Sequence, residues 1–390
     1  MSFNRHLNIL DYTIQSLLRR KFKNIGIILI FTFVIFITGS ILLLSYSFKR
    51  EATLMLKDSP ELIIQRIMAG RHELVPVRIA SEIMKIPGVS KVEPRYWGYY
   101  YDSLLKANYT VLAAGESLSA NNHLLKGRLP RLDENNKAAI GRGVSEARFI
   151  GTNSSISLQT AGGRHMDFWI TGIFEADSEL LTSDLIVINQ PDFIKLFGIP
   201  EGLATDIAVT VSNETEAAVI AGKILLQFPD TRPILRSEIL RTYDAVLGWR
   251  SGLVLTLFSG ALIAFIILAW DKATGLSAEE KQEIGILKAI GWETSDVLEM
   301  KFWEGLAISL FSSLVGIILA YVHIFYFGAS IFAPALKGWS VIYPNFKLAP
   351  YIDFYQIFIL MSLTIIPYIA STIIPSWKAS ITEPDIVMRG

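Results

Sequence analysis

Four long apolar runs constrain the fold of this chain more than any other feature, one near the start and three near the end. Residues 25–48 contain no charged side chain. As an α-helix they would rise roughly 36 Å, enough to cross the hydrocarbon core of a bilayer with some tilt. A cleaved signal peptide is the competing interpretation, but its apolar region is shorter, about 7–15 residues, and ends in an A-x-A-like site. No such site follows here, so the run is predicted to be a retained transmembrane helix.

Three further apolar runs, at 248–270, 303–327 and 354–374, are each about 20 residues long and nearly free of charge. Since lipid offers no partner for backbone polar groups, each run is expected to cross as a helix, which makes four transmembrane helices. Basic residues near the ends of these helices set their orientation. They precede the first run or lie between the second and third: Arg5, Arg19, Arg20, Lys21, Lys23, Lys272, Lys281, Lys288 and Lys301. Both termini are therefore predicted to be cytoplasmic, although Lys49 and Arg50 after the first run are a contrary signal.

Composition limits the classes of protein that fit. With 51% hydrophobic residues, the chain is too apolar for an ordinary soluble domain and too polar to lie wholly in a membrane. A formal net charge of zero argues against a general nucleic-acid partner, which needs a basic surface. The sequence has no cysteine, which excludes disulfides, thiolate nucleophiles and Cys-ligated metal.

The segment between the first two runs is about 200 residues long and has the composition of a globular domain. Its hydrophobic spacing alternates between helical and strand periods. Helices are predicted at 76–86, 191–196 and 214–227, and strands at 89–92, 95–102, 110–114, 155–159, 167–172, 185–188 and 207–211. The fold class is thus an α-helical membrane protein with four transmembrane helices and a mixed α+β extracytoplasmic domain inserted between the first and second.

The predicted organisation follows directly from these runs. In chain order it is a cytoplasmic amphipathic helix at 1–24, transmembrane helix 25–48, the extracytoplasmic domain 49–247, transmembrane helix 248–270, a cytoplasmic helical segment 271–302, transmembrane helix 303–327, an extracytoplasmic loop 328–353, transmembrane helix 354–374 and a cytoplasmic tail 375–390.

Small residues recur at every fourth position of the second run: Gly248, Gly252, Thr256, Gly260 and Ala264. This spacing places them on one helix face and lets another helix backbone approach closely. Gly252, Gly260 and Ala264 are therefore predicted packing residues, against the plainer interpretation that Gly and Ala are simply common in transmembrane helices.

The cytoplasmic segment carries a short charged helix. Ser277 and Glu280 form an S-x-x-E capping box, and Gly291 is expected to end the helix after Ile290. A second cap, at Thr294 or Ser295, is predicted to begin the next helix. Charged and apolar residues fall on different sides, which suits a helix that lies along the membrane or docks on a partner, and composition leaves both open.

The run 281–291, with Glu304 opening the next apolar run, resembles the hallmark of the FtsX-like, or MacB-type, permeases of ABC transporters, which include the LolC/LolE and DevC permeases of the type VII superfamily. Other stretches are similar to the same family: 16–22 to its amphipathic helix before the first span, 86–92 and 140–143 to its periplasmic core, and 375–384 to its C-terminal tail. The likeness covers nearly the whole chain and is strongest in its C-terminal third.

The resemblance implies a permease subunit, a MacB-core-like outer domain, and a location in the bacterial inner membrane. It also implies partners: a separate nucleotide-binding ABC ATPase subunit and a second permease copy, with homodimer the leading prediction and heterodimer left open. A periplasmic adaptor is left open too, and lipid surrounds the spans. The chain has no G-x-x-x-x-G-K-[ST] loop, so no cofactor is expected to bind directly, and ATP and Mg²⁺ would act through the ATPase subunit.

By the same resemblance, the charged helix would seat in the ATPase and couple ATP hydrolysis to movement of the outer domain. The residues implied in that contact are Glu280, Glu283, Ile284, Leu287, Lys288 and Gly291. The substrate would be an amphiphile, lipoprotein, lipid or peptide that is exported or released. Two alternatives stay open: a regulator of an external enzyme such as a cell-wall hydrolase, and a membrane-anchored sensor. No catalytic or metal-ligating residue is predicted, because no motif such as H-E-x-x-H occurs.

Overall fold

The computed structural model describes residues 3–56, 59–115, 124–174, 182–247, 278–334 and 350–381, with isolated positions at 256, 259, 260, 263, 267, 342 and 348. The chain forms two compact units. The first, here called the helical unit, comprises Met1–Phe48, Ala245–Ala329 and Ala349–Gly390, and the second, the α+β unit, comprises Lys49–Asp244 and Ser330–Leu348.

The α-helices of the described residues are numbered in chain order. They are α1 (Phe3–Arg19), α2 (Lys21–Leu56), α3 (Arg78–Ile83), α4 (Arg142–Arg148), α5 (Gln190–Phe197), α6 (Ala217–Gln227), α7 (Arg236–Leu247), α8 (Ala278–Ala289), α9 (Thr294–Tyr321) and α10 (Phe354–Ile381). A 3₁₀ turn at Glu214–Glu216 precedes α6, and a π-helix at Val322–Tyr326 continues α9.

Three of the described helices are long and apolar enough to cross a membrane: Lys21–Thr53, Thr294–Tyr326 and Phe354–Ile381. They match the first, third and fourth predicted runs and are longer than predicted, although the helix of the third run ends at Tyr326, one residue short of the predicted 327. The second run, 248–270, lies outside the described residues except at isolated positions, so the number four stays a prediction. The chain is a multi-pass membrane protein.

Within the helical unit, small residues mark the places where helices meet. A Cβ added at Gly305 of α9 would lie 2.8 Å from Thr372 Oγ1 of α10, and one added at Gly316 would lie 2.8 Å from Ile35 of α2. Buried hydroxyls join the same helices, since Ser313 and Thr364 lie 3.1 Å apart. These contacts combine close backbone approach with interhelical hydrogen bonding, which drive helix association in lipid.

The α+β unit contains fourteen described strands. They are β1 (Leu62–Met68), β2 (Arg71–Glu73), β3 (Val75–Pro76), β4 (Val89–Arg95), β5 (Trp97–Asp102), β6 (Ala107–Ala113), β7 (Leu124–Gly127), β8 (Lys137–Ile140), β9 (Ser155–Gln159), β10 (His165–Phe174), β11 (Leu185–Ile188), β12 (Leu203–Ala204), β13 (Asp206–Val211) and β14 (Thr231–Leu235). One sheet has the order β14-β1-β13-β4 with β2 on β1, a second has the order β5-β6-β11-β8-β10-β7 with β9 on β10, and β3 pairs with β12.

All seven predicted strands and all three predicted helices of this unit are present, with shifted ends at most of them. The mixed α/β class is therefore confirmed. The sequence prediction missed the other seven described strands, which are β1, β2, β3, β7, β8, β12 and β14. The residues of β1 do not alternate strictly, and β14 contains Pro233. Because β14 is at the edge of its sheet, that proline removes no ladder hydrogen bond from a central strand.

Two large hydrophobic cores and one smaller cluster support the described part of the unit. One lies on the seven-stranded sheet and includes Tyr109, Phe168 and Phe193, and the other lies on the five-stranded sheet and includes Leu62, Ile83 and Ile220. Asp102 ties the first core together, because it accepts hydrogen bonds from Tyr109 Oη at 2.6 Å and from Arg148 Nη2 at 2.5 Å. Burial acts to raise the pKa of Asp102, but the bonds from Tyr109 and Arg148 outweigh it and hold that pKa below its usual value.

The turn that opens α4 gives the first testable prediction. A Cβ at Gly141 would lie 1.8 Å from the carbonyl oxygen of Thr182, a backbone atom that has no room to retreat. Gly141→Ala should therefore lower the free energy of unfolding of the α+β unit by about 1–3 kcal/mol or more. Hydrogen exchange of β8 and β11 in the full chain measures this. Gly151→Ala is the matched control, since a Cβ there meets no described atom within 4 Å, and equal effects of both changes would contradict the explanation.

Candidate functional site

Two acidic side chains of α8, those of Glu280 and Glu283, do not face solvent but point at the junction between α1 and α2. Glu280 and Glu283 meet a group of hydroxyl and basic residues there: Tyr12, Ser16, Arg19, Arg20 and Lys23. We call these seven residues the polar joint. Its members recur at helical spacing on one side of α1 and α8, so each helix presents one continuous face to the other.

Glu283 is the centre of the polar joint. Its Oε2 accepts from Arg20 Nη2 at 2.5 Å, and its Oε1 accepts from Tyr12 Oη at 3.0 Å. Ser16 Oγ and Arg19 Nη2 each lie 3.3 Å from the same Oε1. The side chain is only 14% exposed, so these are charge-assisted bonds in a largely dehydrated setting, where they are stronger than at a surface.

Glu280 occupies the deeper position. Its side chain is 3% exposed, and its Oε1 lies 3.2 Å from Lys23 Nζ and 3.3 Å from Arg20 Nη1. A buried carboxylate is costly unless it is paired, so removal of one cation would leave an uncompensated charge. Arg20 therefore serves both glutamates at once and holds two turns of α8.

Tyr12 bridges the polar and apolar parts of the contact. Burial, and next the charge of Glu283, raise the pKa of its hydroxyl above the usual value, which keeps the proton that it donates. Its ring lies 5.3 Å from that of Trp292, and the Arg19 guanidinium lies 5.3 Å from the Tyr12 ring centre. Ile9, Leu287 and Met300 form the buried cluster beneath these rings.

A second set of contacts fixes the start of α1 to the start of α9. Arg5 Nη2 donates to Asp296 Oδ2 at 2.5 Å, and His6 Nδ1 lies 2.7 Å from Glu299 Oε1. Asp296 also accepts from the backbone N–H of Glu293 at 2.8 Å. The cap predicted at Thr294 or Ser295 lies instead at Glu293, one or two residues earlier, where Glu293 and Asp296 form a capping box in front of α9.

The predicted coupling residues are mostly turned inward. Ile284 and Leu287 are 1% and 3% exposed, and Glu280 and Glu283 belong to the polar joint. Lys288 Nζ donates to Thr294 Oγ1 at 3.1 Å. Gly291, with φ of +99°, lies in the left-handed conformation that follows α8. Most of the side chains that were expected to contact a partner protein contact other residues of this chain instead.

The exposed side of α8 carries different residues. Lys281, Gln282, Ile286 and Ile290 face outward, with Ile286 and Ile290 at 50% and 69% exposure. We call these four the outer face of α8. Sequence reasoning counted Ile290 with the apolar side and gave Ile286 no role, although their spacing of four residues is the signal for a shared face.

Two of the three predicted packing residues of the second run are not among the described residues. Gly252 and Ala264 lie outside the described residues, and Gly260 is exposed, with no described atom within 4 Å of an added Cβ. Their role stays a prediction. Among the described residues, no group of three or more His, Asp or Glu side chains is placed to hold a metal ion.

Comparisons with known proteins bear on this arrangement. Residues 251–384 match the family model of the FtsX-like permease C-terminal domain. An uncharacterized ABC transporter permease of Methanocaldococcus jannaschii is 26% identical over 245 residues, which cover 58% of this chain and 56% of that protein. The chain thus spans about half the length of this curated relative.

A solved structure with a similar outline is the extracellular domain of the noncanonic ABC-type transporter YknZ from Gram-positive bacteria. It is 10% identical, covers 44% of this chain and 98% of its own, and has a TM-score of 0.33.

The class is that of a multi-pass membrane protein. More particularly, its C-terminal third is similar to FtsX-like permeases, and the resemblance to FtsX-like ABC transporter permeases that the sequence showed is confirmed.

A double-mutant cycle tests the polar joint. Glu283→Gln and Arg20→Gln should each lower the thermal stability of the full chain in detergent, because each removes the shortest ion pair of the polar joint and leaves a largely buried charge with weaker pairing. The double variant should lose less stability than the sum of the losses of the two single variants, which corresponds to an interaction energy of about 1–3 kcal/mol. Lys281→Gln, an exposed change on the same helix, is the control. Additive effects of the two joint changes would show that the carboxylate and the guanidinium do not interact.

Proposed function

We propose that this chain is the transmembrane subunit of an ABC transporter and that its polar joint passes the movement of α8 to α1 and α2. A separate nucleotide-binding subunit binds and hydrolyses ATP with Mg²⁺ and pushes on α8. The observation that carries the proposal is the pairing of Glu280 and Glu283 with Arg19, Arg20 and Lys23. A helix that only displayed charges to solvent would not need buried partners on another helix.

The outer face of α8 is the surface proposed to meet the ATPase subunit. Ile286 and Ile290 supply apolar area, and Lys281 and Gln282 supply polar contacts beside it. The inward side of α8 holds this helix to the rest of the helical unit through Glu280, Glu283, Ile284 and Leu287. This division of labour revises the contact set that the family resemblance implied.

The path of force follows from chain connectivity. Lys23 belongs both to the polar joint and to α2, which runs from Lys21 to Leu56 and leads through two further residues and Ser59 toward β1 at Leu62. An α-helix is stiff along its axis, so a shift at its first turns is transmitted to its far end. The ATPase can bias this movement only through a difference in its binding energy between two states of α8.

The remaining parts of the proposal concern the assembly. The basic residues around Lys21 and Lys281 accord with a chain that has both termini in the cytoplasm. The proposal also includes four transmembrane helices and a location in the bacterial inner membrane. The α+β unit, a MacB-like core, then lies outside and takes part in export or release of an amphiphile, lipoprotein, lipid or peptide. A second copy of the permease, identical or related, completes the membrane part. The missing phosphate-binding loop supports an ATPase in a separate chain.

Copurification tests the role of the outer face. Ile286→Asp with Ile290→Asp should weaken binding of the ATPase subunit about tenfold or more, because apolar anchors dominate such interfaces. Glu283→Gln should retain the ATPase subunit and reduce transport, since it loosens the joint behind the docking surface. Leu226→Asp, an exposed apolar position on α6, is the matched control for added charge. Full retention of the ATPase by the double variant would contradict the proposed docking surface.

A further inference from the structure

Helix α1 has a second face that the polar joint does not use. Leu7, Ile14 and Leu18 of α1 are 48%, 50% and 67% exposed, and Phe22 in the first turn of α2 is 83% exposed. At 3.6 residues per turn these four positions fall within a sector of about 80°, opposite the buried positions Ile9, Thr13 and Ser16. We call the four exposed residues the outer stripe of α1.

The outer stripe continues onto a membrane-spanning helix. Ile25, Leu29 and Phe33 of α2 fall in or beside the same sector and are 49%, 63% and 63% exposed. Exposed apolar residues on a spanning helix face lipid. The outer stripe is thus the extension of a lipid-facing surface.

The axis of α1 does not simply prolong that of α2. Ile9 shares a cluster with Met300 of α9, and Ile35 meets Gly316 of the same helix. The helical rise from Ile9 to Ile35 through α1 and α2 is about 39 Å. The rise between their contact positions on α9, from Met300 to Gly316, is only about 24 Å. The break at Arg20, between the end of α1 at Arg19 and the start of α2 at Lys21, accommodates the difference. Helix α1 therefore does not continue the axis of the spanning helix α2, and an amphipathic helix in that position can lie along the surface of a bilayer.

Basic residues border the outer stripe at its membrane end. The side chains of Arg19 and Lys23 are 58% and 45% exposed, and Lys21 is exposed with its Nζ 5.4 Å from the Phe22 ring centre. One exposed acidic residue, Asp11, lies within the sector of the outer stripe, two turns before Leu18, and accepts a hydrogen bond from Gln15 Nε2 at 2.9 Å. Along the described residues of α1 and α2, only cations border the membrane end of the stripe. Apolar residues flanked by cations are the pattern that binds a membrane surface with anionic head groups.

Arg19 is also the most loosely held cation of the polar joint. It reaches Glu283 Oε1 at 3.3 Å, whereas Arg20 holds the other oxygen at 2.5 Å and Tyr12 donates at 3.0 Å. Glu283 would thus keep three donors if Arg19 left. A lipid phosphate can compete for Arg19 without stranding a buried charge.

We propose that the outer stripe of α1 lies in the membrane interface and that anionic phospholipid head groups bind Arg19 and Lys21, drawing Arg19 away from Glu283. The lipid composition of the membrane thereby adjusts how firmly α1 is tied to α8. The lipid contact itself does not depend on the proposed ATPase partner and can be measured on this chain alone.

The absence of native cysteine allows a single-site test. The full chain carrying Ile14→Cys, labelled with a polarity-sensitive fluorophore, is reconstituted in phosphatidylcholine vesicles with and without phosphatidylglycerol. We expect quenching by lipid-borne quenchers in both, and a further shift with phosphatidylglycerol that salt weakens. Gln282→Cys on the outer face of α8 is the control and should stay in water. A label at Ile14 that stays in water, or that is shielded only when a protein partner is added, would overturn the membrane assignment.

Variants at the two cations test the head-group part. Arg19→Gln or Lys21→Gln in the Ile14→Cys background should raise the phosphatidylglycerol content needed for half the shift about fivefold each. Arg19→Lys should keep the response, because it keeps the charge. An unchanged response in both neutral variants would overturn the proposed phosphate contact. Since ATPase copurification is a separate readout, failure of this test and failure of the proposed function are distinguishable.

Discussion

The buried carboxylate of Glu283 is the interaction on which the rest of the helical unit depends. It is an anion taken out of water, and it is stable there because two guanidinium groups, a phenol and a hydroxyl converge on it from α1 and its end. Those donors come from one helix and the acceptor from another. Separating α1 from α8 would expose an apolar cluster and leave a buried charge poorly paired, so the two helices are expected to move together.

Further buried charge at the base of α9 extends this body. Lys301 Nζ donates to Glu304 Oε2 at 2.6 Å, and both side chains are almost completely buried. Above this level the helical unit relies on small residues and hydroxyls, as at Gly316 and Ser313, which permit close contact without strong charge. Charged contacts thus concentrate at the end of the bundle that carries α8, where a push would be received, and neutral packing prevails along the spans.

Sequence reasoning succeeded where local periodicity decides structure. The lengths of the apolar runs predicted three observed spanning helices. Alternation predicted β9 to the residue, and a short apolar, β-branched run predicted β11 to the residue. Sequence periodicity does not reach structure that a distant segment decides. Which side of α8 faces inward depends on α1, more than 250 residues away in the chain, so the sequence alone does not show that Glu283 and Leu287 face α1. Similarly, β14 is recognisable as a strand only once β1 is known to pair with it. The second spanning run and its glycine spacing remain predictions of the sequence.

The central claim is that α1 follows α8 when the ATPase acts. Pulsed EPR on the assembled complex, with spin labels at Gln15 of α1 and Lys281 of α8 in one permease copy, measures this with and without trapped nucleotide. A pair of Lys281 labels in the two copies shows whether nucleotide moves α8 at all. If α1 follows α8, the trapped nucleotide changes the distance between the two Lys281 labels while the Gln15–Lys281 distance within one copy stays the same. A Gln15–Lys281 distance that changes as much as the distance between copies would contradict this claim.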